Sequence, residues 1–121
     1  MKPQLLRLSD WTRYPAGRYR SDGPYTGEQW REDFLVPALR LAQGPPKTAL
    51  EIDLSSVRGW GSSFFEEAFG GLARHHLDLS LSVLWWIKDL PGFESEMREI
   101  VGYFSDEVQE ARRVEELLNL K

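Results

Sequence analysis

Residues 48–76, TALEIDLSSVRGWGSSFFEEAFGGLARHH, constrain the fold more than any other part of the chain. The stretch opens with an apolar run, Ala49-Leu50-Glu51-Ile52-Asp53-Leu54, set between Gly44-Pro45-Pro46 and Ser55-Ser56. A run of that length between such boundaries reads as a buried or half-buried strand. Gly59 and Gly61 then hinge a loop into Ser62-Ser63 and Phe64-Phe65-Glu66-Glu67-Ala68-Phe69. A hydroxyl at Ser62 or Ser63 can accept from the orphan N–H groups of a helix start, and Ser63 to Glu66 has capping-box spacing. Phe65, Phe69, Leu72 and Ala73 fall on one helical face. The unit is strand, hinged loop, serine-capped helix.

The flanking residues repeat that alternation. Residues 4–8, QLLRL, read as a short first strand, and residues 11–27 as a long loop punctuated by turn signals. Within it, Tyr19-Arg20 is expected to run extended into an Asp22-Gly23-Pro24 turn. Thr26 is placed to cap a helix over residues 28–42, with Trp30, Phe34, Leu35, Leu39 and Leu41 as apolar surface. Pro37 inside that window predicts a kink or an early end. Residues 79–87, LSLSVLWWI, alternate and then become wholly apolar, a second strand signal. Of Trp85 and Trp86, a strand turns only one inward. Residues 93–118 are helical in pattern, with Met97, Ile100, Val101, Phe104 and Val108 inside. The tail over residues 107–121 either extends that helix or forms another. Strands alternating with helices imply an α/β layer fold, a small mixed or mostly parallel sheet with helices packed on it, in one domain over residues 1–121.

Composition removes several classes of function. The chain has no cysteine, so no disulfide framework, thiolate metal site or cysteine nucleophile is expected. No apolar stretch has the length of a membrane span, and the first residues lack the apolar core of a secretory signal, so a cytoplasmic protein without membrane contact is expected. Residues 1–50 hold 8 Lys/Arg against 5 Asp/Glu, whereas residues 89–121 hold 4 against 9. The front is therefore mildly basic, the end acidic, and the whole too acidic for a general nucleic-acid binder.

Candidate sites are few. Glu66 and Glu67 read as first-turn acids that complement a helix dipole rather than as a catalytic pair. His75 and His76 point about 100° apart on a helix, a poor arrangement for sharing a metal, and a helix C-terminus suits imidazolium without any ligand. The loop is richer: Arg13, Arg18, Arg20 and Arg31 interleave with Trp11, Tyr14, Tyr19, Tyr25 and Trp30. Guanidinium forks among aromatic faces suit an acidic protein partner, a nucleotide or a single-stranded nucleic acid. A local role pairs Arg18 or Arg20 with Asp22 or Asp53.

The run IDLSSVRGWGSSFFEEAFGGL resembles the STAS-like domains of uncharacterised function, whose pattern is a strand ending in Asp, glycine, Ser-Ser-Phe, Glu-Glu and Phe-Gly-Gly-Leu. GRYRSDGPYTGEQWRE resembles the same family's arginine, Asp-Gly-Pro, Gly-Glu and arginine motif. Together the two cover residues 17–74, about half the chain. More distantly the stretch is similar to the STAS domains of anti-sigma factor antagonists, in which the first serine of Asp-Ser-Ser-Gly-Leu is phosphorylated by a partner kinase. Ser62 occupies that place. Gly61 stands where those proteins have the aspartate, and Phe64-Phe65 where they have Gly-Leu.

The resemblance implies a non-enzymatic regulatory or protein-interaction module of bacterial or phage origin, partnered by a histidine-kinase-like ATPase, with no cofactor and no metal. Two other readings stand beside it: a nucleic-acid or nucleotide binder using the Arg/aromatic loop, and a small phage-type inhibitor that occupies a larger complex. Ser62 is the candidate phosphoacceptor. Parallel α/β sheets gather ligands beyond the carboxyl ends of their strands. On that ground Arg18, Arg20, Asp22, Arg31, Trp60, Ser62 and Ser63 are expected to form one partner-binding surface.

Overall fold

In the computed structural model, which describes residues 2–59, 61–88 and 91–119, the frame is a parallel sheet. Strands β1 (Gln4–Arg7), β2 (Leu50–Asp53) and β3 (Trp85–Ile87) pair in that order, with Leu6 opposite Ile52 and Ile52 opposite Ile87. Parallel neighbours cannot be joined by a tight turn, so each connection crosses over through helix. Helix α1 spans residues 27–43, α2 residues 62–75, α3 Leu77–Ser82 and α4 Glu94–Asn119. The expected strand neighbours are present, and the helix that starts at Ser62 lies between them.

Three expectations are corrected. The Leu-Ser alternation before β3 is helical rather than extended. Ser80 and Ser82 donate their hydroxyls to the carbonyls of Leu77 (2.7 Å) and Leu79 (3.0 Å), a local bond that lets serine sit in a turn of helix. Pro37 neither ends nor splits α1. The helix widens into a π turn over Arg31–Leu35 just before it and resumes α geometry over Val36–Gln43, so the turn takes up the missing N–H. Residues 20–22 form a single 3₁₀ turn rather than an extended segment. The expected cap is present, Thr26 Oγ1 accepting from the Gln29 N–H at 3.3 Å.

The core lies on one side of the sheet. Trp85 stacks on Phe69 of α2 (5.9 Å) and meets Phe104 of α4 edge-on (5.0 Å), while Trp30 of α1 packs against Phe64 and Phe69. Trp86 points to the opposite face and is 38% exposed. Helix α4 is one continuous element of 26 residues, which settles the question of its tail. Ile100 and Val108 are buried as expected; Val101, at the margin of that stripe, is exposed, and Tyr103 is half-buried instead.

Helix α2 carries its own π turn, Glu66–Gly70, so both crossing helices are widened near their contact. Glycines let them approach. A Cβ at Gly27 would fall well inside contact distance of the Phe64 carbonyl, and one at Gly71 would overlap the Arg31 guanidinium.

Candidate functional site

The long loop is folded down onto the start of α2 rather than left in solvent. Trp11 meets Tyr25 edge-on and packs against Phe34, both at 5.1 Å, fixing the loop to α1. The N–H groups of Gly27 and Glu28 donate to the carbonyls of Gly17 (3.1 Å) and Arg18 (3.0 Å). Asp22 accepts from the N–H groups of Tyr19 (2.8 Å) and Arg18 (3.2 Å), closing the turn on itself. Gly17 adopts φ +89° at the point of closest approach, with Thr26 and Asp22 against it, a conformation that favours glycine. The result is an open cleft of about 680 Å³, with Arg18, Tyr19 and Asp22 on one wall and Gly61, Ser62 and Ser63 on the other.

Carboxylates hold the cleft's arginine in place. Arg18 hydrogen-bonds Glu66 and lies 3.5 Å from Glu67. Arg74 grips Glu66 from the other side (2.7 Å) and reaches Glu107 of α4 (2.8 Å), so loop, α2 and α4 share one ion network. The Arg74 hydrogen bond, then that of Arg18, holds the Glu66 carboxyl below its usual range against the effect of burial. Beneath them Arg31 is buried between α1 and α2. Its Nη1 lies 2.5 Å from Glu67 Oε2 and donates to the Glu67 carbonyl at 2.7 Å, while Nε meets Glu32 at 2.7 Å. His76 closes the far end against Glu32 at 2.9 Å. Glu67 thus anchors α1 to α2 and Glu66 ties the loop to α2, so neither is a simple dipole partner.

The expected arginine pairings are therefore replaced. Arg20 makes a two-pronged bond to Asp33 (2.7 and 3.2 Å) on the exposed side of α1. Asp53 is buried at the end of β2, facing away from the helices. Its neighbours are Arg7 (3.2 Å), its register partner on β1, Lys88 (3.8 Å) just past β3, and the Ser55 N–H (2.8 Å). Burial pushes this carboxyl up, and the Ser55 and Arg7 bonds outweigh it, leaving it below the usual range. Neither Arg18 nor Arg20 is among its partners in the described residues: Arg18 lies on Glu66 and Arg20 on Asp33.

The serines are also corrected. Gly61, not a serine, is the cap residue, with extended backbone at φ −78°, ψ 103°. The loop closes over it: a Cβ there would come within 3.3 Å of the Pro15 carbonyl. Ser62 and Ser63 occupy the first helical positions, exposed, and neither hydroxyl makes a hydrogen bond among the described residues.

Of the residues expected to converge, Arg18, Asp22, Ser62 and Ser63 share the cleft. Arg20 and Arg31 do not line it, and Trp60 lies outside the described residues. Sequence reasoning missed Glu66, Arg74 and Glu107 as a network. The Gly70-Gly71 pair was the available signal, since adjacent glycines in a helix mark a close approach. Arg18 and Arg20 of the loop and Arg31 of α1 each face a carboxylate. A second, apolar opening of about 330 Å³ lies past β2 between Leu54, Val57, Pro91 and Phe93.

A family model, the STAS-like domain of unknown function (DUF4325), matches residues 31–84. That span takes in β2, the whole of α2 and most of α1, consistent with an uncharacterised STAS-like family and with the α/β fold; the long loop precedes it. No curated protein and no solved structure matches the chain. Among the described residues no helix is long and apolar enough to cross a membrane.

Proposed function

We propose that this STAS-like chain is a non-enzymatic, cytoplasmic regulatory module that docks a histidine-kinase-like ATPase through the cleft, with Ser62 as phosphoacceptor. The observation that carries the reading is Ser62 itself: exposed, without a side-chain hydrogen bond among the described residues, at a helix start, and facing a loop that presents Arg18. A phosphate there meets the N–H groups of the first turn and a guanidinium close by. The carboxylates nearest the cleft, Glu66 and Glu67, are taken up by arginines, which supports a role in holding shape over one in catalysis.

The test is transfer of the labelled γ-phosphoryl of ATP by a histidine-kinase-like ATPase of the same host. The serine oxygen displaces ADP and loses its proton. Wild type and Ser63→Ala are expected to take up label, and Ser62→Ala to take up none. Because neither serine caps α2, both variants should melt within about 0.5 kcal/mol of wild type. Label persisting on a folded Ser62→Ala chain contradicts the assignment.

A further inference from the structure

Arg13 and Arg58 stand outside the ion network. Arg7, Arg18, Arg20 and Arg31 each face a carboxylate, whereas the exposed guanidinium groups of Arg13 and Arg58 make no ion pair or hydrogen bond among the described residues. The backbone nevertheless sets the two side by side. The Arg58 N–H donates to the Arg13 carbonyl at 2.5 Å, and both side chains line one open pocket of about 330 Å³ with Ser56 and Val57. The carboxylates of the neighbouring segments are committed elsewhere, Asp53 to Arg7 and Ser55, Glu94 to the Gly92 N–H at 3.2 Å. Like charges held together without a counter-ion repel, and an anion between them removes that cost.

Ser56 and Val57 also line the apolar opening past β2, which makes the two openings continuous. Leu54, buried, and Phe93, about half exposed, supply much of its apolar lining. These residues come from the segments that follow β2 and β3. The opening therefore lies beyond the carboxyl ends of two adjacent parallel strands, where sheets of this kind gather ligands. A volume of about 330 Å³, an apolar lining and a few convergent polar groups at one edge are the features of a small-molecule pocket.

We propose that the two openings form one binding site for a small phosphate ester with an apolar body, its phosphate on Arg13 and Arg58 and its body against Leu54, Val57 and Phe93. Two guanidinium forks from separate segments offer more donors than the two oxygens of a carboxylate can use, and a phosphate accepts from both. Ser55 and Ser56 carry the only polar side chains among the described residues of the apolar opening, so the polar edges of a nucleobase find few partners there. None of these residues lines the cleft, and the proposal does not rest on Ser62 as phosphoacceptor.

Titration of the full chain with octyl phosphate, kept below its micelle concentration, tests the proposal by calorimetry and by amide chemical shifts. Saturable binding of one molecule per chain is expected, with shifts at Arg13, residues 54–59 and Phe93. Arg13→Ala and Arg58→Ala, both at exposed positions, are expected to melt as wild type does and to weaken binding by about tenfold each. Octanol and inorganic phosphate each supply half of the ligand, octanoate a smaller anion and AMP a polar body. All four are expected to bind at least about tenfold more weakly than octyl phosphate. A wild type that shows no saturable binding of octyl phosphate overturns the proposal. So does a folded double variant, Arg13→Ala with Arg58→Ala, that binds as wild type does, or any of the four that matches octyl phosphate. Shifts confined to residues 16–22 and 61–63 overturn it as well, since they place the ligand in the cleft.

Discussion

Glu67→Ala is expected to destabilise the fold by about 3–5 kcal/mol, because it leaves a charge buried without its main partner. Arg31 is 3% exposed and cannot turn to water. Of its contacts, the carboxylate at 2.5 Å is lost, and what remains is Glu32 and a backbone carbonyl. The same substitution takes a contact from Arg18 and Arg74, loosening the loop and α4 together. A thermal melt by circular dichroism should fall by at least about 10 °C. The double exchange Arg31→Met with Glu67→Leu should recover most of that loss, since replacing a buried pair by apolar groups is often neutral. A single-variant loss below about 1 kcal/mol would mean that the pair is not what holds α1 on α2.

Gly27→Ala is the second large effect, and it acts on the same crossing from its other end. In an ordinary first helical turn alanine is better than glycine. At this position the added methyl would meet the Phe64 carbonyl, which belongs to the backbone of α2, and crowd Glu67 Cβ at 3.2 Å. No side chain can swing away, so the helices must separate. Overpacking of this kind costs about 1–3 kcal/mol, and here it also lengthens the Arg31–Glu67 contact. Gly102→Ala in α4, where nothing lies within 4 Å of the added atom, is the control. Chemical denaturation should show a loss at Gly27 and a small gain at Gly102; equal responses would contradict a close crossing.

Much of the fold was legible because the decisive signals were local. Residues 49–54 are apolar between turn residues and became β2; Thr26 before a helical pattern became a cap. What failed was local as well, in a different sense. Leu79-Ser80-Leu81-Ser82 has the period of a strand, but two hydroxyls bonding back to carbonyls suit a short helix equally, and period alone does not separate them. Gly61 rather than Ser62 or Ser63 is the cap residue, and it lies under the Pro15 carbonyl of the loop, a contact far away in sequence. The cleft was legible in part for the same reason. Asp22 and Arg18 are near neighbours in one turn, and Ser62 starts the helix below. The partners of Arg18, Arg20 and Arg31 depend instead on how two π-widened helices cross, and no spacing in the sequence reports that.

The cleft as docking surface is tested most directly by amide hydrogen exchange, comparing the free chain with the chain bound to a histidine-kinase-like ATPase. The expected footprint is slowed exchange in residues 16–22 and 61–65, with β1, β3 and the end of α4 unchanged. Slowed exchange confined to the open sheet face, the end of α4 or the apolar opening past β2, with residues 16–22 exchanging as in the free chain, would contradict it.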